Sequence, residues 1–108
     1  MSLDLPHLLA GYFAAEDRND TEGLGAYFAD DAVVRDEGRT IEGVPSIKQW
    51  IRDVKKKYHH TVELLEVVER DGKTVVTTKV AGNFPNSPVR LDHIFEIEGD
   101  RIVSLEIR

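Results

Sequence analysis

Val89-Arg90-Leu91-Asp92-His93-Ile94-Phe95-Glu96-Ile97-Glu98 divides its side chains on a period of two. A β-strand sends successive side chains to opposite faces, so Val89, Leu91, His93, Phe95 and Ile97 share one face and Arg90, Asp92, Ile94 and Glu96 the other. Asp92 stands out, because an acid in an otherwise apolar run is costly to bury and must be exposed, paired or functional.

The same reading extends outward. His59 to Arg70, Lys73 to Asn83 and Arg101 to Arg108 are further β-branched runs, separated by Asp71-Gly72, by Phe84-Pro85-Asn86-Ser87-Pro88 and by Gly99-Asp100. Short connections between consecutive strands predict an antiparallel meander. Upstream, Ala32 to Asp36 and Arg39 to Glu42 predict a hairpin around Glu37-Gly38.

The N-terminal half changes period. Leu5, Leu8, Leu9, Tyr12 and Phe13 recur at helical spacing, with Asp4 or Leu5 as the entry before Pro6. Asp20-Thr21 caps a short second helix carrying Leu24, Tyr27 and Phe28, and Val44, Ile47, Trp50, Ile51 and Val54 mark a third that ends near Lys57. Helices first and strands after predict an α+β domain with the helices on one face of the sheet.

Composition narrows the chemistry. The 108 residues suit one domain spanning 1-108, and the absence of Cys excludes disulfides, thiolate catalysis and cysteine-bound zinc. No apolar run reaches a membrane-spanning length, and Met1 to Pro6 lacks the pattern of a leader, so a soluble cytoplasmic protein is expected. A net charge of -6 argues against nucleic acid, since that affinity comes from cations neutralising phosphates. Lys55-Lys56-Lys57 reads as a solvated helix end that meets the negative pole of the dipole. His59 and His60 point opposite ways if they lie on a strand, so no metal site is expected, and no cofactor.

Three contexts carry a family resemblance: Tyr12-Phe13-Ala14-Ala15, the run Phe28-Ala29-Asp30-Asp31-Ala32-Val33-Val34-Arg35-Asp36, and Asp92-His93-Ile94-Phe95. In these the chain resembles the ketosteroid isomerase branch of the nuclear transport factor 2-like (SnoaL-like) superfamily. The resemblance implies a conical barrel, in which a curved antiparallel sheet wraps around a long N-terminal helix with cystatin-like topology and leaves a pocket at its open end. It also implies a base, Asp36, and two oxyanion donors, Tyr12 and a protonated Asp92. That division of labour is the general description of ketosteroid isomerase.

On this reading Asp92 faces the pocket. Phe13, Phe28, Trp50, Val54, Tyr58, Phe84, Arg90 and Ile94 line the pocket around a small apolar molecule, and Val89, Leu91, Phe95 and Ile97 form an outer apolar patch that pairs two subunits. Arg90 departs from the isomerase pattern, because a guanidinium beside Asp92 would keep it ionised. Arg90-Leu91-Asp92 also resembles the Arg-x-Asp pair of limonene-epoxide hydrolases, with Glu106 as a further acid. Structural readings stand beside these: Tyr12 as core, Asp36 as a turn residue, and the whole pocket as a binding or protein-interaction module without catalysis.

Overall fold

In the computed structural model, which describes residues 5–108, three helices and six strands follow one another. They are α1 (His7–Asp17), α2 (Thr21–Gly25), β1 (Phe28–Asp36), β2 (Arg39–Glu42), α3 (Val44–Tyr58), β3 (Thr61–Arg70), β4 (Lys73–Ala81), β5 (Val89–Glu98) and β6 (Arg101–Ile107). Pro6 is the N-cap of α1, and Asp4 lies outside the described residues. Asp20 caps α2 by accepting the Gly23 amide at 3.0 Å. That helix ends at Gly25, so Phe28 opens β1 and does not belong to a helical stripe.

The strands form one sheet in the order β2-β1-β6-β5-β4-β3. The C-terminal meander is antiparallel, as is the β1/β2 hairpin, which turns on Glu37 and Gly38 at positive φ. β1 pairs in parallel with β6, so the sheet is mixed where a wholly antiparallel one was expected. The pairing joins the two ends of the chain, and its long connection contains α3 and the meander, as a parallel pair requires. The result is the expected α+β fold with a curved sheet, although α3, at 15 residues, is longer than the 11-residue α1.

Leu9, Leu24, Val34, Ile47, Val76, Phe95, Ile102 and Leu105 are sealed between helices and sheet. Tyr12 joins them, its ring meeting Phe13, Phe28 and Phe95 edge-on at 5.0, 5.8 and 5.5 Å.

β5 presents the opposite face to the one expected. Phe95 is wholly buried and His93 nearly so, while Arg90 is exposed and Asp92, Ile94 and Glu96 are only half-buried. The cause is hydrophobic burial. Only one face of the sheet is covered by helices, and turning Arg90, Asp92 and Glu96 inward would desolvate three charges, at several kcal/mol each when unpaired. Burying a Phe is favourable by about 2 to 3 kcal/mol. Phe95 is therefore core and Val89 and Leu91 face inward, so these side chains are not the outer subunit contact expected of them.

Candidate functional site

A cavity of about 500 Å³ opens at the end of the molecule where α1, the C-terminal half of α3 and the inner face of the sheet diverge. Tyr12 and Glu16 sit one helical turn apart on α1 and both line it. Trp50, Val54 and Tyr58 repeat every fourth residue along α3 and form the second wall. Asp36 enters from the end of β1, and Leu91 and His93 from β5. Phe84, in the β4–β5 loop, closes onto Tyr58 edge-on at 5.7 Å.

Of the residues singled out in the sequence, Tyr12, Asp36, Phe13, Trp50, Val54, Tyr58 and Phe84 converge on this cavity. Phe28 does not reach the wall and belongs to the core. Asp92, Arg90 and Ile94 lie on the opposite face of β5, where Asp92 accepts a hydrogen bond from the Thr77 hydroxyl at 2.9 Å. Asp92 is thus removed from any oxyanion site in the cavity, for the burial reason given above. Glu106 is paired with Arg108 at 3.0 Å and is also absent from the cavity wall, which leaves the Arg-x-Asp reading without its acids there.

The Asp36 carboxyl is held above the usual carboxylate range, first by partial burial and then by the charge of Glu37. A nearby Trp50 indole N–H, Arg39 and His60 partly oppose this. Tyr12 is pushed above the ordinary phenol value by burial and by the Glu16 charge, so its hydroxyl keeps its proton and can donate. Burial also acts on Glu16, but hydrogen bonds from His60 and Lys55, with their charges, outweigh it and lower its pKa. Lys55 Nζ lies 2.7 Å and His60 Nε2 3.1 Å from Glu16 Oε1, and Lys55 also donates to the His60 carbonyl at 2.8 Å.

This Glu16-Lys55-His60 cluster is absent from the sequence-based expectations. Lys55 is not a solvated helix end; it turns inward, while Lys56 and Lys57 stay exposed. His59 ends α3 in the left-handed conformation, φ 48, which reverses the chain and delivers His60 to the cavity. Helical spacing alone puts Glu16 on the Tyr12 face, which was the available signal. His93, at the cavity floor, has its pKa lowered to about 4, chiefly by burial, and is neutral at physiological pH.

The curved sheet, the helices on its inner face and the cavity at its open end define a protein of the nuclear transport factor 2-like superfamily. The profile of the SnoaL-like domain matches residues 9–105, and the chain belongs to that family. It is similar, at 44% identity and a TM-score of 0.94 over 97% of this chain and 96% of the other, to a Sinorhizobium meliloti protein provisionally named a polyketide cyclase. A Catenulispora acidiphila protein of ketosteroid isomerase-like fold, solved with trimethylamine, superposes at TM-score 0.82 with 18% identity, over 95% of this chain and 85% of that one. A Kribbella flavida protein provisionally named a ketosteroid isomerase superposes at 0.80 with 11% identity, over 93% and 73%. At such identities the last two report the fold alone. No curated protein matches the chain in sequence.

Proposed function

We propose that the protein binds a small apolar ketone in the cavity and moves a proton beside its carbonyl, with Asp36 as the base and Tyr12 as donor to the enolate oxygen. The observation that carries this is the convergence of both side chains on one largely apolar cavity, Asp36 with a raised pKa and Tyr12 locked in its protonated form. The Asp36 carboxylate takes a proton from the α-carbon, the C–H electrons form the enolate double bond, and the charge moves to oxygen, where the Tyr12 hydroxyl stabilises it. Asp36, now protonated, returns the proton to the same carbon or to a conjugated one. A base with an elevated pKa drives the first transfer better than an ordinary carboxylate. An intramolecular cyclisation begins with the same enolate, and the name given to the Sinorhizobium meliloti relative supports that variant.

The test is hydrogen–deuterium exchange at the α-carbons of β-tetralone, a bicyclic ketone, followed by NMR. Protein-dependent exchange above the buffer rate, lost in Asp36→Asn, supports the reading. Exchange that survives Asp36→Asn removes the base.

A second reading is favoured by the outward position of Asp92, which leaves Tyr12 without the second donor expected beside it. The cavity then serves as a binding site without catalysis. Retention of β-tetralone without exchange separates the two.

A further inference from the structure

His93 takes no part in the proton transfer proposed above, yet it is a nearly buried imidazole at the cavity floor whose hydrogen-bonding state can be read from its neighbours. The Thr78 hydroxyl is fully buried and donates its single proton to the Leu91 carbonyl at 3.1 Å. The same oxygen lies 3.4 Å from His93 Nδ1 and has only lone pairs to offer it. With the Thr78 proton on the Leu91 carbonyl, the imidazole proton sits on Nδ1, and in a neutral ring Nε2 is then the acceptor. The ring is held in place, stacked on Phe95 at 6.2 Å and 22° and met edge-on by Phe13 at 5.9 Å.

Among the described residues Nε2 has no hydrogen-bond partner. It is not sealed in either, since the one fully enclosed and unpartnered side-chain polar atom among the described residues is His60 Nδ1. Nε2 thus has access to the cavity, whose floor His93 forms with Leu91 and Phe13 and whose wall also carries Glu16 and His60. A ligand that brings a hydroxyl group satisfies Nε2. A ligand that brings only carbon or ether oxygen displaces water from it and leaves it unpaired, and buried polar groups discriminate against such analogues for that reason.

We propose that His93 is a specificity-determining residue whose Nε2 accepts a hydrogen bond from a ligand hydroxyl, so that the cavity selects hydroxyl-bearing ketones over their ethers and hydrocarbon analogues. The proposal rests on the ketone-binding reading of the cavity and adds a second point of recognition to it. The lowered pKa of His93 agrees with the geometry, because the ring stays neutral and its lone pair free above about pH 4.

The experiment has two arms. Nitrogen NMR of the imidazole in the free protein is expected to show the proton on Nδ1; a proton on Nε2 overturns the proposal. Calorimetric titration then compares β-tetralone, its phenolic ring-hydroxyl derivative and the methyl ether of that phenol. The phenol is expected to bind about twofold to tenfold tighter than the ether, the scale of one neutral hydrogen bond. The preference for the phenol over its ether should vanish in His93→Phe, whatever the change in affinity common to both. Equal binding of phenol and ether, or a preference that survives His93→Phe, overturns the role of His93 and leaves the cavity reading standing. Failure of all three probes to bind removes the cavity reading and this proposal together. Should His93→Phe not fold, Thr78→Val reads the same point: loss of the hydroxyl that fixes the tautomer should shrink the phenol preference, and an unchanged preference counts against the proposal.

Discussion

Lys55 Nζ lies 2.7 Å from Glu16 Oε1, tying the C-terminal end of α3 to the last turn of α1 across 39 residues of sequence. His60 shares the same carboxylate oxygen at 3.1 Å. Both side chains are largely withdrawn from water, so the pair is not an ordinary surface bridge. Glu16→Gln should leave an ammonium facing a neutral amide and lower stability by about 2 to 3 kcal/mol, the scale of a charged, partly buried hydrogen bond. Urea denaturation at neutral pH measures it. A change under half a kcal/mol, roughly the surface-bridge value, would show that the cluster is solvated in solution.

Removal of the base and of the donor should have different signatures. Asp36→Asn should abolish exchange on β-tetralone, whereas Tyr12→Phe should slow it by about 10²- to 10³-fold, the usual effect of losing one oxyanion donor. Exchange rates in deuterated buffer give both. Equal, small effects from the two substitutions would point to a cavity that only binds.

Asp92→Ala is expected to leave exchange unchanged, because Asp92 lies on the outer face with Thr77. Its cost should be confined to stability, at about 1 kcal/mol for one hydrogen bond. A large loss of exchange in this variant would place Asp92 in the cavity after all.

The acid limb of the stability curve should carry a signature of His93. Its pKa is about 4 in the folded protein against 6.5 for a free imidazole. Between these values the unfolded chain binds a proton that the folded protein does not, so stability falls as pH drops from about 6.5 to about 4, by roughly 3 kcal/mol in all. Glu16, Asp92 and His60 face this imidazole electrostatically, the first two favouring its protonation and the third opposing it. Glu16 itself has a lowered pKa, so its contribution is lost as pH falls from 4.5 through that lowered value and the carboxylate takes up a proton. Asp36 acts in the opposite sense: its raised pKa means the folded state gains relative stability as it protonates. Thermal melts of wild type and His93→Phe from pH 7 to pH 4 should diverge, with the variant flatter. Parallel curves would contradict the burial of a neutral imidazole.

Local patterns in the sequence accounted for the elements and for part of the cavity wall. Helical spacing placed Tyr12 and Phe13 on one face of α1 and Trp50 and Val54 on one face of α3, and period two grouped the side chains of β5 correctly. These are properties of backbone geometry, fixed within a few residues. Which face of β5 turns inward was not such a property. The resemblance chose the face of Asp92, and burial of Phe95 chose the other, because the sheet can seal only the side that the helices cover. The parallel pairing of β1 with β6 and the meeting of Glu16, Lys55 and His60 likewise depend on segments distant in sequence. Local patterns carry no information about which distant partners will meet; close packing and the pairing of buried charge decide that, and they exist only once the chain is folded.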